Sequence, residues 1–321
     1  MENPQTDWPQ LIAKYPDLVP PRPSSLEAFP ESIVSAKGIN TIQADFGQRC
    51  CMMHLGVEYA YKSGIPLHLQ IIEPRQAEDE EILFPLILYV QGSAWFKQNT
   101  GNELAQLSRF ARRGFVIAVV EYRPSTLAPF PAQVKDTKTA LRYMKAHAET
   151  YHADPERIIL WGDSSGGHTS VMTSVTLDNQ ELDDESPIEK PILLRAVIDY
   201  YGPTDISTMN QEPSTQDHVE PASPEGMLIG GFNILEHPSK VAPTITTSYL
   251  SEDRAIPPML IMHGSRDRLV PFGQSVMLFN ALKKMSKTAE CYQLKGADHA
   301  GPPFWTEPVL DIVEAFINRW L

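Results

Sequence analysis

Short, unbroken apolar runs recur along the chain. Leu86 to Val90, Phe115 to Val120, Ile158 to Trp161, Ala196 to Ile198 and Met259 to Met262 show no apolar and polar alternation. Such runs are typical of strands covered on both faces. Between them lie stretches with helical spacing, among them Val134 to Ala148 and Val276 to Met285. Alternation of strand and helix predicts an α/β fold with a mostly parallel sheet and helices on both faces. Ahead of it, Leu55 to Ala60 and Leu67 to Ile72, linked through Lys62-Ser63-Gly64, predict an antiparallel pair.

Two stretches lack either period. Asn3 to Phe46 carries Pro4, Pro9, Pro16, Pro20, Pro21, Pro23 and Pro30 and reads as an arm, which we extend to residue 54. The 56 residues from Gly202 to Pro257 are rich in Pro, Ser and Thr and include Gly230-Gly231, so that 203–256 reads as a cap or pocket wall inserted between two strands. The acidic stretch Glu78 to Glu81 reads as a loop. With no repeat of 20 to 50 residues visible, the expectation is a single domain over 1–321.

Composition narrows the function. Of 321 residues 42% are hydrophobic and 21% charged, as in an ordinary globular enzyme. Proline is in excess, 28 residues or about 9% against a usual value near 5%. A net charge of −13 without a long basic cluster argues against nucleic acid as a partner. No run is long enough for a membrane span and the N-terminus has no export-signal pattern, so the expectation is a cytoplasmic protein with no membrane partner. Three cysteines, Cys50, Cys51 and Cys291, imply no disulfide framework.

The chemistry gathers where runs end. Ile158 to Trp161 leads into Gly162-Asp163-Ser164-Ser165-Gly166-Gly167, and a helix can follow to Val175. Gly-x-Ser-x-Gly on a strand-to-helix turn exposes a serine nucleophile, here Ser164, with the Ser165 N–H at a helix start ready for an oxyanion. A serine hydroxyl needs a base and an orienting acid on later loops. Asp267 follows the run ending at Met262, and His299 follows a strand around Cys291 to Leu294 and precedes a helix near Val309 to Leu321. They are assigned as acid and base, ordered Ser, Asp, His. His168 and His263 stay open as alternative bases and Asp205 as an alternative acid; Asp298 reads as a loop solvator and Asp163 as a turn carboxylate. After Leu86 to Val90 come Gln91-Gly92-Ser93-Ala94-Trp95, whose Ser93 and Ala94 N–H groups complete the proposed oxyanion hole with Ser165. Trp95 and Trp305 stand beside the hole and the base, and could form apolar or sugar-stacking walls or simply pack in the core.

From Leu55 onward the chain resembles the α/β-hydrolase esterases, in the branch with bacterial acetylxylan and feruloyl esterases. The matching blocks are Glu121-Tyr122-Arg123-Pro124, Phe130-Pro131-Ala132, Asp136, Asp154 to Ile158, Gly162 to His168, and His263-Gly264 with Asp267, Val270 and Pro271. One departure is Gln91-Gly92-Ser93-Ala94-Trp95, where relatives carry His-Gly-Gly-Gly-Trp. The resemblance implies the same triad and a short acyl ester as substrate, in particular acetylated xylooligosaccharides. Feruloyl or general carboxylester hydrolysis, amide hydrolysis on the same triad, and a noncatalytic binding role stay open beside it. This chemistry needs no metal or organic cofactor; the expected partner is a small-molecule ester, and a homodimer is left open.

Overall fold

The apolar runs become strands because alternate side chains enter two different cores. The computed structural model describes residues 6–22, 25–26, 28–45, 47, 49–76, 81–186 and 191–321. Asn3, Pro4, Pro23, Phe46 and Glu78 to Glu80, part of the arm and acidic-loop readings, lie outside these residues. The chain divides into two compact units, 1–46 and 47–321.

The first unit contains a helix that the sequence pattern does not announce, α1 (Trp8–Lys14). Its start is specified locally: the Asp7 side chain accepts from the Gln10 N–H, and Pro9 sits in the first turn where no N–H partner is required. At two turns it is too short to register as a sustained period. Farther along, Ile33, Val34 and Ile42 are exposed.

The second unit opens with the expected antiparallel pair, β1 (Cys51–Lys62) and β2 (Ile65–Pro74). Cys51 to His54, read as the end of the arm, already pair with β2, and His54 Nε2 lies 2.8 Å from the Glu73 carboxylate. There follow β3 (Phe84–Val90), α2 (Leu104–Ala111), β4 (Val116–Val120), α3 (Ala132–Ala146), β5 (Ala153–Asp163), α4 (Ser165–Val175) and β6 (Leu194–Tyr200). After the long connection, which holds short helices α5 (Pro224–Leu228) and α6 (Pro238–Val241), come β7 (Met259–Gly264), α7 (Gly273–Lys284), β8 (Ala289–Leu294) and α8 (Glu307–Asn318).

The eight strands form one sheet in the order β1-β2-β4-β3-β5-β6-β7-β8. Strand β2 pairs antiparallel with β4, and every pair from β4 to β8 is parallel. This is the mostly parallel α/β sheet that the alternation predicted, in the α/β-hydrolase arrangement that the resemblance implied. One core takes Leu86, Leu88, Ile158, Leu160 and Ile261 against Leu141 and Met144 of α3, Val171 of α4 and Leu282 of α7. The other takes Ile87, Tyr89, Ile159, Trp161 and Leu260 against Phe110 of α2 and Phe316 of α8. All parallel strands therefore end on the same rim, which places the loops after β3, β5, β7 and β8 side by side.

Candidate active site

The loop after β5 makes the sharpest turn in this rim. Ser164 sits at φ 52°, ψ −127°, left-handed space that an L-residue enters only when its surroundings enforce it. Its N–H donates to the Tyr200 carbonyl at 2.8 Å. The flanking glycines are required by close approach: a Cβ on Gly162 would overlap the Gly166 carbonyl, and one on Gly166 the Val90 carbonyl. So tight a turn lifts Ser164 Oγ off the strand and points α4 away from it.

Three loops meet there. His299 Nε2 is 2.9 Å from Ser164 Oγ, and His299 Nδ1 is 2.7 Å from Asp267 Oδ2. The Asp267 side chain is fully buried. Burial would raise its pKa, but hydrogen bonds from His263 and His299 outweigh this and hold the carboxyl well below the usual carboxylate range. An ionised carboxylate only accepts, so His299 Nδ1 carries the proton and Nε2 is left to accept from the serine hydroxyl. This is the protonation pattern of a base poised to take the Ser164 proton.

The acid is held on all sides. Asp267 Oδ1 accepts from the N–H groups of Leu269 and Val270, each at 2.9 Å. Its Oδ2 is 3.0 Å from His263 Nε2. That nitrogen also faces the Val270 carbonyl at 2.9 Å, while Nδ1 meets Ser275 Oγ at 2.7 Å. His263, weighed from the sequence as an alternative base, is buried against Asp267 and does not reach Ser164. Asp298 likewise does more than solvate a loop. Its Oδ1 accepts from the N–H of His299 at 2.8 Å and of Arg268 at 3.0 Å, tying the acid and base loops together. The Arg268 guanidinium and the His299 N–H push its carboxyl down to about 2.

Neither His168 nor Asp205 reaches this chain of bonds. His168 is buried, with Nε2 on the Thr244 carbonyl at 2.9 Å, and burial pushes its pKa down to about 4 against that hydrogen bond. Asp205 folds back on Ser207, accepting from its N–H and hydroxyl.

The structure changes one of the three proposed oxyanion donors. The Ser93 N–H donates to Ser165 Oγ at 2.9 Å, so it is already spent. Gly92 N–H is spent as well, on Asp163 Oδ1 at 2.9 Å, with Tyr89 O–H on the same oxygen at 2.8 Å. Asp163 thus ties the nucleophile turn to the loop after β3, and burial raises its pKa against these two bonds. Ala94 N–H has no acceptor among the described residues, and the N–H of Ser165, at the first position of α4, has none within its helix. Ala94 and Ser165 both line the cavity beside Ser164. Ala94 is at φ 54° and Trp95 at φ 56°. Replacing Ala94 by glycine should relieve this strain and stabilise the chain by about 1 kcal/mol, read as a higher urea midpoint; an unchanged or lower midpoint would contradict the strained geometry.

The two tryptophans part company. Trp95 lines the cavity, with its ring edge-on to His168 at 5.2 Å. Trp305 stacks on Trp161 at 5.7 Å within the aromatic core and is not one of the cavity residues, which corrects its expected place at the substrate.

The cavity, about 260 Å³, is lined on one side by the segment between β6 and β7, which contributes Pro203, Gln216, His218, Pro224 and Glu225. That segment is clamped to the acid loop: Thr215 N–H donates to the Arg268 carbonyl at 2.8 Å and Ser214 Oγ–H to the Leu269 carbonyl at 3.0 Å.

Asp199, behind the turn, accepts from the Gly202 N–H at 3.1 Å. Burial, opposed by that bond and aided by the charge on Asp163, raises its pKa from 3.8 to about 7. Between the two values the unfolded chain has released a proton that the folded chain keeps, so this group makes stability fall as pH rises through that window. Asp199→Asn cannot titrate. Its urea midpoint relative to the parent should therefore improve between pH 5 and pH 8, and an equal difference at both would contradict the shift.

This fold and site define an α/β hydrolase with a Ser, His and Asp constellation. Residues 69–282, well over half the chain, match the BD-FAE family model, and the chain belongs to the BD-FAE family. Among curated proteins it is similar to "Esterase LipC" of Mycobacterium tuberculosis, 27% identical over 240 residues that cover 73% of this chain and 58% of that protein. It is also similar to "Probable carboxylic ester hydrolase LipM" of the same organism, 28% identical over 67% of this chain and 49% of that one. The chain thus spans about half the length of these relatives. Among solved structures, a "truncated form of carbohydrate esterase from gut microbiota" superposes with a TM-score of 0.72, 27% identical, covering 86% of this chain and 98% of that one. A thermophilic esterase of Thermogutta terrifontis shares the fold at 22% identity and a TM-score of 0.65, over 84% of this chain and 94% of that one. No helix among the described residues is long and apolar enough to cross a membrane.

Proposed function

We propose that the chain is a serine carboxylic ester hydrolase for short acyl esters, removing acetyl groups from acetylated xylooligosaccharides. The observation that carries the reading is the continuous chain from Ser164 Oγ through the His299 ring to Asp267, at 2.9 and 2.7 Å. Esterase names among the relatives and the carbohydrate esterase among the structural neighbours support it. The cavity of about 260 Å³ beside Ser164 has room for a short acyl group.

In this reading Ser164 Oγ attacks the ester carbonyl carbon while its proton passes to His299 Nε2. The oxyanion that forms is met by the Ala94 and Ser165 N–H groups. As the C–O bond to the alcohol breaks, the imidazolium returns the proton to the leaving oxygen. Water then gives a proton to His299, attacks the acyl carbon and releases the carboxylic acid, and Ser164 regains its proton. Asp267 holds the ring and its charge throughout.

The test pairs p-nitrophenyl acetate and acetylated xylooligosaccharides with p-nitroanilides. Faster ester than anilide turnover, with acetate released from the sugars, is the expected result. Faster anilide turnover would make the chain an amide hydrolase.

A further inference from the structure

We propose that Glu225 selects the alcohol half of the substrate by accepting a hydrogen bond from a free hydroxyl carried close to the ester. The inference rests on the esterase reading of the site and extends it to a residue outside the triad and the oxyanion donors.

Apart from Ser164, Ser165 and His299, the polar side chains lining the cavity are Gln216, His218 and Glu225 from the segment between β6 and β7, together with Trp95, whose indole N–H is buried with no hydrogen-bond partner among the described residues. Glu225 is only 3% exposed. Its Oε1 lies 3.0 Å from His218 Nδ1. On the other side of that ring, Nε2 lies 3.0 Å from the Leu269 carbonyl. The ring is therefore anchored to the acid loop, and it stands beside the carboxylate without making a hydrogen bond to it. Glu225 Oε2 is buried and has no hydrogen-bond partner among the described residues.

A buried carboxylate oxygen without a donor costs folding free energy, because it has lost water and gained nothing. In a cavity wall that cost is recovered if a ligand brings the donor. The missing group is an O–H or N–H on a neutral or cationic substrate, since another carboxylate would be repelled. A polyhydroxylated alcohol supplies such donors beside the ester oxygen, whereas a simple alkyl alcohol supplies none. A site built around a hydrogen bond discriminates strongly against the analogue that lacks it, because its own polar group is then left unpaired.

The experiment measures kcat and KM for glyceryl monoacetate and for propyl acetate, which has the same chain without the hydroxyls. Wild type, Glu225→Gln and Glu225→Leu are compared, with the active fraction of each counted by a serine-directed fluorophosphonate. Wild type should favour glyceryl monoacetate by about 10- to 100-fold in kcat/KM, the range of a hydrogen bond to a charged group. Glu225→Leu should lose most of that ratio, chiefly through KM, and Glu225→Gln the part that depends on charge, since its amide oxygen still accepts. Glu225→Gln keeps the shape of the side chain, and the ratio within one protein is independent of how much of it folds. Equal treatment of the two esters by wild type, or an unchanged ratio in both variants, overturns the role of Glu225 and leaves the esterase reading standing. Failure of wild type to hydrolyse either ester or p-nitrophenyl acetate overturns both.

Discussion

Ser164→Ala lowers the turnover of p-nitrophenyl acetate by about 10⁶-fold, the loss found when the nucleophile of a comparable triad is removed. The size follows from the geometry. His299 Nε2 has Ser164 Oγ as its partner at 2.9 Å, and no second hydroxyl is placed on that nitrogen among the described residues. Without Oγ the base has nothing to activate except water held loosely in the cavity. Alanine keeps the backbone of the turn, whose N–H is tied to Tyr200, so the melting temperature should move little. A variant with more than a tenth of the parent rate at unchanged stability would remove Ser164 from the mechanism.

Asp267→Asn is expected to cost about 10⁴-fold, with substrate affinity nearly kept. The asparagine oxygen can still accept from Leu269 and Val270, which leaves its NH₂ facing His299 Nδ1 and His263 Nε2. A donor at that position forces His299 to turn over its tautomer, placing a hydrogen on Nε2 where the Ser164 proton should go. The same change costs stability with a definite pH sign. The pKa of Asp267 is depressed in the folded chain, so its contribution is present above the unfolded carboxyl value near 4 and is lost as pH falls below it. The stability gap between parent and variant should therefore close in acid. Loss of activity without that closing gap would mean that the carboxylate does not hold the two histidines as described.

Much of this was legible in the sequence because it rests on local rules. The runs Leu86 to Val90 and Ile158 to Trp161 are strands since both faces are covered, and the turn can present Ser164 to the cavity since Gly162 and Gly166 on either side of it lack a Cβ. What stayed hidden depends on contacts between distant loops. Nothing in Gln91 to Trp95 says that the Ser93 N–H turns to Ser165 Oγ, 72 positions away. His263 and Asp298 look like ordinary turn residues until the loops after β7 and β8 are side by side, where they bind the acid and the base. Whether Trp305 faced the cavity or the core stayed open because nearness in sequence to His299 says nothing about which face of the sheet its ring joins. Glu225 stands beside His218, whose ring is held by the acid loop, and a proline-rich segment with no period does not announce that arrangement.

The central claim is that Ser164 is the acylated nucleophile of this chain. The most direct measurement is titration with a serine-directed fluorophosphonate, followed by peptide mass mapping and by residual p-nitrophenyl acetate hydrolysis. Activity should fall in proportion to one label per chain, carried on the peptide containing Ser164, and Ser164→Ala should take up none. A fully labelled chain that still hydrolyses the ester, or a label that abolishes activity from another residue, would contradict it.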